Sequence, residues 1–163
     1  VWDVGVRACS DTAPVWCVAD DVDSAGTCSV PQPLVACGQQ VSGDTTGRAN
    51  HIDDYGCVPW YESGPEVIYS LDLPTTFAPY TVTATLSDLP VGEDLDVFIL
   101  PKDGCYRGQC LEYGDVSVIA TGLSSGTYYI AVDGYFGAAG SYTLSVDCGY
   151  RKVFAPLVLR DYP

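Results

Sequence analysis

Methionine is absent from this chain, and asparagine and histidine occur once each, as the neighbours Asn50 and His51. The missing methionine gives the expectation of a mature, exported chain whose signal peptide has been removed. The single asparagine sits in Asn50-His51-Ile52, which is not a sequon, so N-glycosylation is excluded. One histidine and no methionine supply transition-metal chemistry poorly. Basic residues are scarce too: seven Lys and Arg stand against 21 Asp and Glu, for a net charge of −14. Nucleic acid and anionic membrane surfaces both require a positive face, so neither is expected as a partner. No apolar run approaches the roughly 20 residues of a membrane helix, so no membrane insertion is expected.

Cysteine is what the chain has in quantity, with eight residues. No C-x2-C pair occurs and His51 lies in no ligand cluster, so disulfides in an oxidising, extracellular or cell-surface setting explain them better than zinc. Cys105 and Cys110 enclose a four-residue turn and are expected to pair. The short loop limits their contribution to about 2 kcal/mol.

Hydrophobic periodicity is two almost throughout. Segments 37–46, 66–73, 80–89, 95–100, 115–123, 127–135 and 141–148 are rich in Val, Ile, Thr, Tyr and Phe, with Gly, Pro, Asp and Ser between them. No window has sustained helical periodicity with caps. The expectation is an all-β, antiparallel, jelly-roll-like β-sandwich of about eight strands. "VWDVGVRA" also alternates, with Trp2, Val4 and Val6 on one face, and "APVWCVADD" is a second candidate strand. The chain therefore divides into a disulfide-bearing N-terminal arm (1–36), a sandwich (37–148) and an apolar C-terminal tail strand (149–163).

The segments "CGQQVSGDTTG", "YGCVPWYESGPEVIYSLDLP", "DLDVFIL", "CYRGQCLEYGD" and "GTYYIAVDGYFGAAGSYTLSVDC" occur in order across residues 37–148. In that span the chain resembles the bacterial pre-peptidase C-terminal (PPC-like) domain family. The resemblance implies a β-sandwich, export and a non-catalytic accessory role in secretion, surface attachment or substrate binding, with calcium in some members. No catalytic domain is expected before this one, which would be a departure from the family's usual setting. Cys37 and Cys148 stand at the two ends of the match, and they can pair if first and last strands are neighbours. The long loop they close corresponds to about 4–5 kcal/mol. Cys9, Cys17, Cys28 and Cys57 are then left for two more bonds tying the arm to the body. The ending "VFAPLVLR" is similar to a short apolar ending of some secreted bacterial proteins.

Three motifs bear on chemistry. Gly122-Leu123-Ser124-Ser125-Gly126 fits G-x-S-x-G, but a nucleophile elbow needs a strand before and a helix after. Here a strand follows, and a hairpin turn is the expectation. Paired carboxylates such as Asp94 with Asp96, or Glu62 with Glu66, are abundant enough to arise by chance in an acidic sandwich, so no enzyme is expected. Calcium is a better use for them, since it takes six to eight hard oxygens from loop carboxylates and carbonyls. The candidate ligands are Glu62, Glu66, Asp94, Asp96 and Asp133. "DVDSAG" (21–26) imitates the opening of an EF-hand loop without its closing glutamate.

The tail poses the last question. Val153, Phe154, Leu157, Val158 and Leu159 follow the last cysteine, flanked by Arg151, Lys152 and Arg160, three of the seven basic residues. Each large apolar side chain left in water costs roughly 1.5–3 kcal/mol, so the stretch needs a cover. It can add to its own sandwich, with Pro156 tolerated at an edge, or complete another subunit's sheet. Trp2, Val4 and Val6 pose the same problem at the other end. Heterologous strand addition builds open filaments, and a basic tail suits an acidic body. The sequence thus supports a self-assembling subunit of an extracellular filament or surface layer. The alternative is a PPC-like module binding polysaccharide or protein at the cell surface, with exposed tyrosines stacking on an extracellular glycan.

Overall fold

A computed structural model describes residues 6–8, 16–18, 27–28, 30–32, 36–77, 79–101, 104–105 and 108–150. Two short strands, β1 (Val6–Ala8) and β2 (Trp16–Val18), pair antiparallel with Val6 opposite Val18. The remaining eight are β3 (Gln39–Asp44), β4 (Val67–Leu73), β5 (Tyr80–Ser87), β6 (Leu95–Leu100), β7 (Glu112–Gly114), β8 (Ser117–Leu123), β9 (Gly126–Gly134) and β10 (Ser141–Tyr150).

These eight form two four-stranded antiparallel sheets, ordered β3-β10-β5-β8 and β4-β9-β6-β7. Every connection except β6 to β7 crosses from one sheet to the other. First strand pairs with last and second with second-to-last, which is jelly-roll topology. The expected strands are present. The short β7 was not anticipated, because "EYG" offers too few residues for alternation to register.

β5 shows how the sequence makes the fold. Tyr80, Val82, Ala84 and Leu86 are buried while Thr81, Thr83 and Thr85 lie outward, the period-two rule with β-branched residues on the open face. The inward faces of β4, β6, β8, β9 and β10 complete this core with Leu71, Val97, Val118, Ile130 and Leu144.

The second sheet departs from simple alternation. All six residues of β6 are buried, because the sheet is covered on its outer face as well. There Phe98, Leu100, Ile68 and Ala131 pack under Ile52, Tyr55 and Val58 from the long 45–66 connection, forming a second core. Tyr55 stacks on Phe98 at a centroid distance of 3.8 Å.

Disulfides pin this cover, and the pairing differs from expectation. Cys105 bonds Cys28 and Cys110 bonds Cys57; Cys105 and Cys110 are not joined to each other. The reason is local packing. Gly108 donates its backbone N–H to Asp54 C=O at 2.7 Å, and a Cβ at Gly56 would touch Gly108 at 3.0 Å. That close approach lays 54–57 on 108–110 and sets Cys57 beside Cys110. Cys105 is left facing the incoming 27–32 segment, which carries Cys28. Cys28 and Cys57 therefore both bond to the 105–110 loop rather than to Cys9 or Cys17. Cys37 and Cys148 are bonded, joining the start of β3 to its neighbour β10. Three disulfides among the described residues point to an exported protein.

Candidate functional site

Two features of the sandwich stand out. The first is an open side. β7 and β8 follow each other closely across the two sheets and close one flank: a Cβ at Gly114 would lie 2.0 Å from Ser117 O. On the opposite flank β3 and β4 are the edge strands of their sheets. Between them runs a cleft of about 460 Å³ lined by residues including Val41, Gly43, Asp44, Arg48, Val67 and Tyr69. Tyr69, which lines it, pairs its hydroxyl with that of buried Tyr142 at 2.9 Å. Gly43 is required there, because a Cβ would meet both hydroxyls at 2.5 Å. Burial pushes both tyrosines' ionisation upward, so they stay neutral.

Among the described residues the outer edge of β4 is touched at one point. Gln32 makes a parallel bridge to Tyr69, its N–H donating to Ile68 C=O at 2.7 Å. Among the described residues β3 pairs only with β10. Thr45 N–H donates to Gly140 C=O, which sets the alternation along the strand. By that alternation Gly43 and Val41 turn their backbone groups to β10, and Ser42 and Gln40 turn theirs to the open side.

The second feature is acidic. Glu62, Glu66, Asp96 and Asp133 are all buried, Asp96 and Asp133 on the outer face of the second sheet and Glu62 and Glu66 in the 45–66 connection that covers it. The structure separates the five expected calcium ligands into two groups. Glu66 and Asp133 have internal donors. Both oxygens of Glu66 accept from His51 N–H, at 2.9 and 2.8 Å. Asp133 accepts from Tyr55 OH at 2.7 Å and from Gly134 N–H at 2.7 Å. These two acids hold the cover in place. Burial pushes Asp133 up to about 8, the Tyr55 hydrogen bond opposing the rise, and burial raises Glu66 as well.

Glu62, Asp94 and Asp96 form the other group, joined by Asp115 from the turn between β7 and β8. Oxygens of Asp94, Asp96 and Asp115 lie within 4.8 Å of one another. Glu62, which bridges Tyr135 through its backbone, contacts Asp96 carboxyl to carboxyl. Burial first, then the Glu62 contact, then Asp94 and Asp115 push Asp96 up to about 8. Burial also raises Glu62. Asp115 was missed in the sequence because it is far from "DLD" along the chain and reaches it only through the β6–β7 pairing. "EYGD" carries no signal of that.

Aromatic rings rim this acidic group. Trp60 donates its indole N–H to Glu62 Oε1 at 2.8 Å. It meets Tyr113 and Tyr135 edge-on at 5.9 and 6.3 Å. All three are partly exposed, and neighbouring Phe136 is 86% exposed.

The other motifs resolve simply. The 122–126 stretch links β8 in one sheet to β9 in the other, so it is a crossing turn rather than the expected hairpin. Gly122, at φ 75°, skips a partner where the β5–β8 register shifts. Ser124 Oγ lies 3.3 Å from Tyr128 OH. Of the expected assembly residues, Trp2, Val4, Val153, Phe154, Leu157, Val158 and Leu159 lie outside the described residues, as does "DVDSAG"; Val6 is described only as backbone of β1.

No family model and no curated protein matches this chain. Among solved structures it is similar to the pre-peptidase C-terminal domain of a collagenase from Bacillus anthracis, at 16% identity over 72% of this chain and 96% of that one, with a TM-score of 0.47. It is similar to the same degree to PliG of Aeromonas hydrophila, a periplasmic inhibitor of g-type lysozyme, again at 16% identity over 72% of this chain and 98% of that one, with a TM-score of 0.47.

Proposed function

We propose that this protein is a non-catalytic, exported structural subunit that assembles with further copies by β-strand addition at the open β3 edge. The observation that carries this is the outer β3 edge, which no strand among the described residues pairs. Natural sandwiches blunt their edges with lysine, proline or bulges. β3 has none of these, and its one charge, Asp44, sits at its end. Beside it lies a cleft that an extended segment can enter, and at Gln32 the β4 edge already accepts a backbone partner. The occupant is the C-terminal stretch 153–159 of a second copy. Its apolar residues need a cover, and its flanking Arg151, Lys152 and Arg160 complement a body of strongly negative charge. The N-terminal stretch is the weaker donor, because Val6–Ala8 already has a partner in β2.

Ser42→Pro tests this directly. Proline removes an outward N–H while leaving the β10 ladder intact, and it is tolerated on an edge strand. Ser42→Pro and removal of residues 151–163 are each expected to leave monomers in sedimentation experiments where the wild type sediments as polymer. Polymers of unchanged size in both would contradict the proposal.

A second function is supported by the aromatic rim. Trp60, Tyr113, Tyr135 and Phe136 offer exposed rings beside carboxylates, the combination that stacks on and hydrogen-bonds to sugars. On this account the protein is a surface module for an extracellular polysaccharide. Trp60→Ala would then abolish retention on an insoluble glycan that the wild type binds, with monomeric protein sufficing for retention.

A further inference from the structure

The turn at 135–138 is closed by Ala138 N–H donating to Tyr135 C=O at 3.0 Å. Both its central residues have positive φ, Phe136 at 52° and Gly137 at 85°, which is the type I′ class. Such a turn takes Asn-Gly readily, and a bulky residue at its first central position is strained. Phe136 is nonetheless there, and its ring is 86% exposed. Strain and lost burial both count against phenylalanine at this position, so the isolated chain gives no reason for it. Beside it the turn 90–93, closed by Glu93 N–H donating to Pro90 C=O at 3.2 Å, carries Val91 fully exposed. The two turns pack together. Glu93 Oε2 accepts from Ala139 N–H at 3.2 Å, and a Cβ at Gly140 would lie 2.9 Å from Pro90. Two adjacent turns thus each present an apolar residue to solvent at one end of the sandwich.

We propose that this end docks on the opposite end of a second copy, where Phe77 and Tyr150 stack at 4.1 Å with both rings partly exposed. The inference rests on the assembly reading above and adds to it an end-to-end contact and a polarity. Strand direction carries it. β10 starts at Ser141, opposite Asp44 at the end of β3, and finishes at Tyr150, opposite Tyr80. A chain continuing straight on from Tyr150 therefore meets a second copy, oriented the same way, at its Asp44 end. It then runs antiparallel to β3, the sense in which β3 already pairs with β10. To reach β3 of its own molecule it would have to reverse beside Cys37 and lie parallel to that strand. Length agrees, since 153–159 matches the six residues of β3. Charge agrees as well. Asp44, Asp88, Glu93, Asp94 and Asp115 are exposed at the Phe136 end. Residues 73–80 and 121–128, at the Phe77 end, carry no charge, and the first charges past Tyr150 are Arg151 and Lys152. Unlike ends attract, whereas two Phe136 ends would set acid against acid.

The test uses the full-length, disulfide-intact protein. Phe136→Asn installs the favoured Asn-Gly turn, so in the Ser42→Pro background it should melt no lower than Ser42→Pro alone. In the otherwise wild-type chain it should raise the concentration at which sedimenting polymer appears roughly 10-fold or more, the scale of losing one aromatic interface anchor. Benzoylphenylalanine placed at 136 should, on irradiation of polymer, crosslink to 74–80 or 148–152 of another copy. Phe136→Asn that assembles at the wild-type concentration, or crosslinks that map only elsewhere, would overturn the end-to-end contact. A lower melting temperature would give Phe136 a role in its own fold and overturn it too. If Ser42→Pro stays monomeric in any of these cases, strand addition stands and only this inference falls. Ser42→Pro polymers of unchanged size, or wild type that stays monomeric, would remove strand addition and this contact with it.

Discussion

Tyr55 shows how much one residue carries in this fold. It is fully buried, stacked on Phe98 and donating to Asp133, so one side chain joins the second core to a buried acid. Tyr55→Phe keeps the stack but strips a donor from a buried carboxyl. A loss of about 1–3 kcal/mol is expected in denaturant unfolding, from the unsatisfied oxygen rather than from lost volume. Asp133 also fixes a pH dependence. Burial holds its folded value near 8, against about 4 in the unfolded chain. Between those values the folded state binds more protons than the unfolded one, so stability falls as pH rises through that window. Glu66 shifts in the same direction. In chelator, Tm should therefore be higher at pH 5 than at pH 8, the reverse of a protein held by salt bridges. A Tm that climbs across that interval would mean Asp133 is ionised in the folded state. None of this was visible in "YGCVPWYES" or "AVDGY". Alternation predicts that a strand residue faces one side, but not that the outer side of a sheet is itself covered.

Elements were the most legible scale. Seven strands announce themselves by period two and β-branched content, and β5 keeps its alternation without exception. What escaped was everything depending on contacts between distant loops. β7 is three residues long, Asp115 joins Asp96 only through β7, and the Cys57–Cys110 bond depends on the Gly56–Gly108 contact. Spacing along the chain favoured Cys105 with Cys110, but space decided otherwise. The Cys37–Cys148 bond closes the longest described loop, with a sequence separation of 111, and constrains the unfolded chain most. Replacing both cysteines by serine should cost about 4–5 kcal/mol on the chain-entropy scale, measured by guanidinium unfolding. Replacing Cys57 and Cys110, separated by 53, should cost somewhat less and loosen the 45–66 cover, seen as faster amide exchange there than in β5.

For the whole molecule the governing facts are a net charge of −14 and a sandwich that, among the described residues, is closed on one flank and open on the other. An acidic body repels its own copies, so the proposed association would rest on strand pairing and apolar burial, helped by the basic residues beside the tail. Moderate salt should therefore slow assembly less by weakening that attraction than it helps by screening body against body. The most direct measurement is negative-stain electron microscopy of the native, unreduced protein beside its Ser42→Pro variant. Regular filaments in the wild type and dispersed single particles in the variant are predicted. Dispersed particles in both would contradict assembly through the β3 edge and turn attention to the aromatic rim as the working surface.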